Sequence, residues 1–255
     1  LSGCEAEQPK VSTASANVKV LEQTFTMPLL NRQRRLRIYL PPDYQLTAQR
    51  YPVLYMHDAQ NLFDDATSYA GEWGVDETLN KLAKEKALSL IVVGIDNGLD
   101  LRINELSPWP NSQYGAAEGE QYMDFIVKVV KPFIDEHYRT LSDRKNTALM
   151  GSSMGGLISH YGLFNYPTVF SKAGVFSPSF WFSEQVYHFS DPKKLVEDSR
   201  LYFLVGGDEG ADVIANVNKM TTQLVAKGFD KNKFSSKIVK DGEHNEQLWR
   251  TEFEE

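Results

Sequence analysis

A single cysteine in a chain of 255 residues has no partner within it. That excludes an internal disulfide and any multi-thiolate metal centre. Long apolar runs are missing too, since none approaches the roughly 18 residues needed to span a bilayer. Basic charge is scarce: 27 Lys and Arg stand against 34 Asp and Glu, a formal charge of -7, with a pI of ≈ 5.4. Phosphate backbones demand clustered cations, so nucleic acid is disfavoured as a partner. The one basic cluster, Arg32, Arg34, Arg35 and Arg37, alternates along the chain and reads as the outer face of a strand. Neither an internal repeat nor a shift of composition divides the rest, so residues 20–255 are expected to form one domain large enough to bury its own core.

Cys4 needs some other reason to be where it is. "LSGC" at residues 1–4 resembles a bacterial lipobox, in which the cysteine after the cleaved signal peptide becomes lipid-modified. The polar stretch "EAEQPKVSTASANVK" then reads as a flexible tether through residue 19, with a reach on the order of 50 Å when extended. The expectation is a lipid-anchored periplasmic or cell-surface protein. The alternative is a chance tetrapeptide in a cytoplasmic one.

Beyond the tether, "FTMPLLNRQRRLRIYLPPDY" predicts two extended segments stopped at Pro41 and Pro42. "YPVLYMHD" (51–58) and "SLIVVGID" (89–96) are nearly continuous apolar runs of parallel-sheet type, and residues 75–86 between them carry helical spacing. "EQYMDFIVKVVKPFIDEHY" places Tyr122, Phe125, Ile126, Val129, Val130, Phe133 and Ile134 on one stripe, with Pro132 expected to kink or interrupt it. "TALM" (147–150), "KAGVFS" (172–177), "RLYFLVG" (200–206) and "FSSKIV" (234–239) read as further strands. Helices are expected over 156–165, about 212–227, and after Asn245. This alternation predicts an α/β class fold, a doubly wound and mostly parallel sheet with ligands at the carboxyl ends of its strands.

The pattern Gly-x-Ser-x-Gly fits one register, Gly151 to Gly155, and so selects Ser153. A sharp strand-to-helix turn lifts a serine hydroxyl out of the sheet, and glycines on either side remove side chains that would collide there. The competing reading is an ordinary helix cap. A nucleophilic serine needs a base and a group to orient it. Of the five histidines, His57 and His137 precede Ser153, His160 lies on the next helix, and His188 comes before the strand expected to carry the acid. Only His244 follows the last strand, where this fold places its base. For the acid, "YFLVGGDEG" offers Asp208 and Glu209, which composition does not separate.

The blocks "RIYLPPDY", "YPVLYMHDAQNLFD", "GEWGVDETL", "FIDEHYRT", "MGSSMGGL", "FSPSFW" and "GEHNEQLW", in this order over residues 25–252, resemble the esterase family of α/β hydrolases. That family includes siderophore esterases, feruloyl and acetylxylan esterases, formylglutathione hydrolases and mycolyltransferases. The resemblance implies an α/β-hydrolase fold and a Glu three residues beyond the strand-ending Gly206, which is Glu209. It also implies an oxyanion hole made by the amides of Met154 and Gln60. Ala59 stands where the family commonly has Gly, so the turn there must tolerate a methyl group.

Trp73 and Trp181 fall in loops at the expected carboxyl edge and are predicted to wall the substrate pocket, with Arg102 contacting or shaping it. His57, Asp58, Asp64, Asp65 and Glu72 are all possible metal ligands, but their spacing matches no calcium loop or zinc motif, and no metal or other cofactor is expected. The reading is a serine esterase acting through an acyl-enzyme on a small-molecule or polysaccharide-linked ester: an acyl, hydroxycinnamoyl, acetyl or siderophore-lactone one. Acyl transfer to an alcohol, and a non-catalytic binding lipoprotein, are the alternatives.

Overall fold

The structure, a computed structural model, describes residues 9–255. Cys4 and the lipobox-like tetrapeptide lie outside the described residues. Ten strands occur among them: β1 (Val18–Val20), β2 (Phe25–Met27), β3 (Arg32–Arg34), β4 (Leu36–Tyr39), β5 (Val53–His57), β6 (Ile91–Ile95), β7 (Thr147–Ser152), β8 (Lys172–Phe176), β9 (Arg200–Gly206) and β10 (Phe234–Val239). The α-helices are α1 (Val75–Lys86), α2 (Arg102–Glu105), α3 (Gly119–Phe125), α4 (Lys131–His137), α5 (Met154–Asn165), α6 (Gln185–Phe189), α7 (Ala211–Ala226) and α8 (Glu246–Glu252).

Eight strands form one sheet in the order β1-β4-β6-β5-β7-β8-β9-β10, and β2 and β3 make a separate hairpin. The pairs from β6 through β10 are parallel, while β4 runs antiparallel to both β1 and β6. The chain winds outward from β5 to β6, then crosses back to β7 on the other side of β5. That reversal opens a crevice beyond the carboxyl ends of β5 and β7, the usual ligand position in open α/β sheets. This is the α/β-hydrolase arrangement, with helices on both faces.

Strand residues alternate between two cores. Val53, Tyr55, Ile91, Val93, Leu149, Val175, Phe203 and Val205 face α3, α4, α5 and α7. Met56, Val92, Phe176 and Leu204 face α1 and α8. Both faces are buried, hence the near-continuous apolar runs. Every residue of α5 from Met154 to Phe164 is buried, as fits a helix at the centre of the domain. No helix among the described residues is long and apolar enough to cross a membrane.

Three expectations change, and a fourth takes a definite form. The stretch read as a tether through residue 19 lies on the domain from Ser12: Ser12 Oγ donates to Asp64, Thr13 Oγ1 to Glu72 and the Ser15 amide to Asp76, before β1 begins at Val18. Its hydroxyls and amide find carboxylates on the domain. Three of the four clustered arginines are not an outer face. Arg32 and Arg34 pair with Glu105, Arg32 also with Glu118, and Arg37, 6% exposed, pairs with Asp96. The interruption expected at Pro132 is present, with α4 restarting at Lys131 and Pro132 in its first turn. A π turn over Ile126–Val130 joins α3 to α4 and absorbs the missing amide. Helix α5 begins at Met154, two residues before the predicted start, because the backbone turn is completed at Ser153 itself.

Candidate active site

Ser153 ends the β7 turn with φ 58 and ψ -120, a backbone conformation that L-residues rarely adopt. Its amide donates to Phe176 O at 2.9 Å, and its carbonyl accepts from Leu157 at 3.1 Å and Ser179 at 3.1 Å, so the strained residue is held from both sides. The turn is possible because a Cβ on Gly151 would lie 2.8 Å from the Gly155 carbonyl and 2.9 Å from His57 Cδ2. Ser153 occupies the N-cap position of α5, yet its hydroxyl caps no helix amide. That weighs against the simple capping role. The hydroxyl, partly buried, lies 3.3 Å from Ser179 Oγ.

His244 Nδ1 is 2.8 Å from Glu209 Oε2. The side chain of Glu209 is 0% exposed and that of His244 is 40% exposed. The other Glu209 oxygen accepts from Ser177 Oγ and, at 2.7 Å, from the Gly206 amide. Trp249 Nε1 in turn donates to Ser177 Oγ at 2.9 Å, and its ring meets the His244 ring edge-on at a centroid distance of 5.2 Å. A buried carboxylate with both oxygens occupied costs little to keep charged and stabilises positive charge on the imidazole it touches. Asp208 is exposed, and its amide, bound to Gly242 O at 2.8 Å, fixes the loop that presents Glu209. The loops carrying the acid and the histidine abut so closely that a Cβ on Gly206 would lie 2.2 Å from Gly242 O. Asn245 then caps α8 by accepting from Leu248 at 3.0 Å, which fixes the chain next to His244.

Among the described residues, no hydrogen bond joins Ser153 to His244. In ligand-free hydrolases such a contact is often long and tightens when substrate binds.

Met154 is the first residue of α5, where helix amides lack an intrahelical acceptor and the helix dipole is positive. Gln60 lies in the turn after β5, tied to Asn97 through Asn97 N to Gln60 Oε1 at 2.9 Å and Gln60 Nε2 to Asn97 O at 3.2 Å. The turn's strain falls on Asp58, at φ 58. The Ala59 methyl is accommodated because β6 has Gly94 opposite it, where an added Cβ would come within 2.7 Å of Ala59 Cβ. Asp58 is clamped by Arg102 (Nε to Oδ1 2.6 Å, NH2 to Oδ2 2.9 Å) and by Asn97 Nδ2 at 2.7 Å. Burial opposes its charge, but Arg102 and Asn97 outweigh that and hold its pKa below the ordinary value. Arg102 therefore shapes the turn through Asp58.

Trp73, predicted as a pocket wall, is instead a core residue, 3% exposed and stacked on Phe176 at 5.5 Å. It reaches the site through Trp249, whose ring lies 5.7 Å away and contacts His244, and through Phe176, whose carbonyl accepts from the Ser153 amide. Trp181 is 52% exposed, on a short turn that starts beside Ser179, with Tyr114 and Phe182 packed around it. The suggested metal ligands disperse. His57 Nδ1 meets Tyr122 Oη at 2.7 Å, Asp58 takes Arg102, Asp64 binds Ser12 and Thr13, and Asp65 faces Lys10. A groove of about 600 Å³ along Leu54, Leu90, Met150 and Tyr202 opens toward the amino ends of the strands, away from Ser153.

Sequence reasoning missed Ser177, Ser179 and Trp249. The first two lie in "FSPSFW" and the third closes "GEHNEQLW", but nothing local in those strings says that they meet.

A family model described as "Putative esterase" matches residues 28–255. The Bacillus subtilis (strain 168) protein described as "Uncharacterized protein YbbA" is 25% identical over 236 residues, which cover 86% of this chain and 89% of that one. The Xylanibacter ruminicola "Endo-1,4-beta-xylanase/feruloyl esterase" is 26% identical over 240 residues, 91% of this chain but 30% of that protein. Two solved structures share the fold. An IroE-like serine hydrolase from Shewanella oneidensis has a TM-score of 0.76 at 20% identity, covering 91% of this chain and 78% of that one. The siderophore hydrolase EstA from Aspergillus nidulans has a TM-score of 0.73 at 17% identity, covering 96% of each chain. With the family match running over nearly the whole chain, the protein belongs to the "Putative esterase" family of α/β hydrolases, enzymes that act on esters.

Proposed function

We propose that the chain is a serine carboxylic-ester hydrolase in which Ser153, His244 and Glu209 form the catalytic set. The observation that carries this is the His244 Nδ1 to Glu209 Oε2 contact of 2.8 Å, in a chain whose glycine-bracketed serine is held at φ 58. Ser153 Oγ attacks the ester carbonyl carbon while His244 Nε2 takes the hydroxyl proton. Glu209 fixes the imidazole with its proton on Nδ1 and stabilises the imidazolium. The Met154 and Gln60 amides receive the oxyanion. Collapse breaks the C–O bond to the leaving alcohol, which takes the proton from His244. Water then attacks the acyl-enzyme with His244 as base, and the carboxylic acid leaves. The His244 side chain is 40% exposed, so water reaches it, which favours hydrolysis over transfer to a second alcohol.

The substrate we propose is an ester whose acyl group carries an aromatic ring, since Trp181 offers an exposed flat surface next to the serine turn, framed by Tyr114 and Phe182. The feruloyl esterase name among the similar proteins is consistent with it. Steady-state kinetics on matched methyl esters test this. Trp181→Ala should raise KM about tenfold or more for a hydroxycinnamoyl or dihydroxybenzoyl ester and leave an acetyl ester within about twofold. Equal effects on both would refute the aromatic preference.

A further inference from the structure

Three carboxylates converge at the start of α1. Glu72 ends the loop before α1, and Asp76 and Glu77 lie in the first turn of that helix. Gly74, at φ 59, folds the loop back so that the three meet. One oxygen from each lies within 4.8 Å of the others, so a point within about 2.8 Å of all three exists, a little beyond the roughly 2.3–2.6 Å coordination distance of calcium.

Two of these side chains are deeply buried, Asp76 at 0% and Glu72 at 7% exposure. Each uses only one of its oxygens. Asp76 Oδ2 accepts from the Ser15 amide at 2.7 Å, and Glu72 Oε1 accepts from Thr13 Oγ1 at 2.7 Å. Asp76 Oδ1 and Glu72 Oε2 are buried with no hydrogen-bond partner among the described residues. Arg250, its NH1 3.7 Å from Glu72 Oε1, is the one cationic side chain within salt-bridge distance of the cluster among the described residues. Buried anions need pairing, and two buried acceptor oxygens without a donor are costly. The amino end of α1 offsets part of this charge, but it supplies no ligand to the unpartnered oxygens.

We infer that Glu72, Asp76 and Glu77 bind a calcium ion that fastens the segment from Ser12 to Asn17 onto α1. The donors are all hard oxygens. Magnesium keeps several of its waters, which a site closed by two buried carboxylates cannot host, whereas calcium sheds water readily and accepts bidentate carboxylates. Glu77 is exposed, so its side is open to a water ligand. This site was not expected from the sequence. Glu72 lies among the five residues first considered, but its partners are Asp76 and Glu77, not its neighbours in that block.

The test uses the full chain after chelator treatment and dialysis. Isothermal titration with calcium chloride, then with magnesium chloride, gives stoichiometry, and thermal melts give the linked stabilisation. The expected result is one calcium per chain and a rise in melting temperature of roughly 5–10 °C at about 100-fold excess over Kd. Magnesium should give neither. Asp76→Asn and, as the exposed and milder variant, Glu77→Gln should each remove the calcium-dependent rise. No calcium uptake by the wild-type chain at millimolar concentration overturns the inference, as does uptake that both variants retain. Equal binding of magnesium overturns the assignment to calcium. If Glu77→Gln alone, without metal, melts higher than wild type and neither protein binds calcium, the cluster is a repulsive acid group and not a site.

Discussion

Glu209 and Asp208 are neighbours with the same charge and opposite surroundings. Glu209 is shielded and holds His244, Ser177 Oγ and the Gly206 amide, while Asp208 is exposed. Glu209→Gln should therefore lower kcat by about 10³–10⁴, since an amide in that place presents the wrong partner to Nδ1. Asp208→Asn should stay within about threefold. Ser177→Ala removes one of two donors to Glu209 Oε1 and leaves Trp249 Nε1 unpartnered. It should cost about 10- to 100-fold in kcat with KM little changed, because it acts through the charge balance of the acid. A change confined to KM would contradict that role. Ser153 and His244 were legible because a glycine-bracketed turn and chain order mark them. Ser177 and Trp249 were not, because their partners stand 32 and 72 residues away in sequence, and no spacing rule links such positions.

At the scale of elements, β9 and α1 fall where the apolar pattern puts them, because a largely buried strand and an amphipathic helix each carry a strong period; β10 also falls where expected, as a partly exposed edge strand. The outer strands were harder. β1 through β4 are three or four residues long, and the short polar β3 carries arginines whose partners, Glu105 and Glu118, come from distant helices. Two buried histidines make a prediction about pH. His57, on β5, has its pKa lowered to about 4, chiefly by burial. His160, in α5, is lowered to about 3 for the same reason, with Ser190 Oγ 2.7 Å from its Nε2. Both stay neutral in the folded chain where the unfolded chain takes up a proton near pH 6.5. The unfolded state then binds more protons, so stability falls as pH drops through 6.5 and levels off only below the folded values. At pH 5 each histidine should have cost about 2 kcal/mol relative to pH 8. Denaturant melts at the two pH values check this, and His160→Gln should remove about half of the difference. An unchanged difference would mean that His160 is not the source.

In the whole molecule, the reversal of strand order at β5 and β7 brings the Gln60 turn and Ser153 to the same edge. The ends of β9 and β10 lead to Glu209 and His244 there. The fold class was legible from alternation alone, whereas of the proposed site only Ser153 and His244 were singled out by motif and chain order, and Glu209, Met154 and Gln60 came from the family resemblance. The docking of residues 12–17 was not, because it depends on carboxylates that are buried only once the domain has closed around them. The account rests on Ser153 being an activated nucleophile. Intact-mass spectrometry after fluorophosphonate treatment, on wild type and on Ser153→Ala, tests this without knowledge of the substrate. A single adduct on wild type that is absent from the variant is the predicted result. An adduct that persists in Ser153→Ala, or none on the wild-type protein, would contradict the assignment of Ser153.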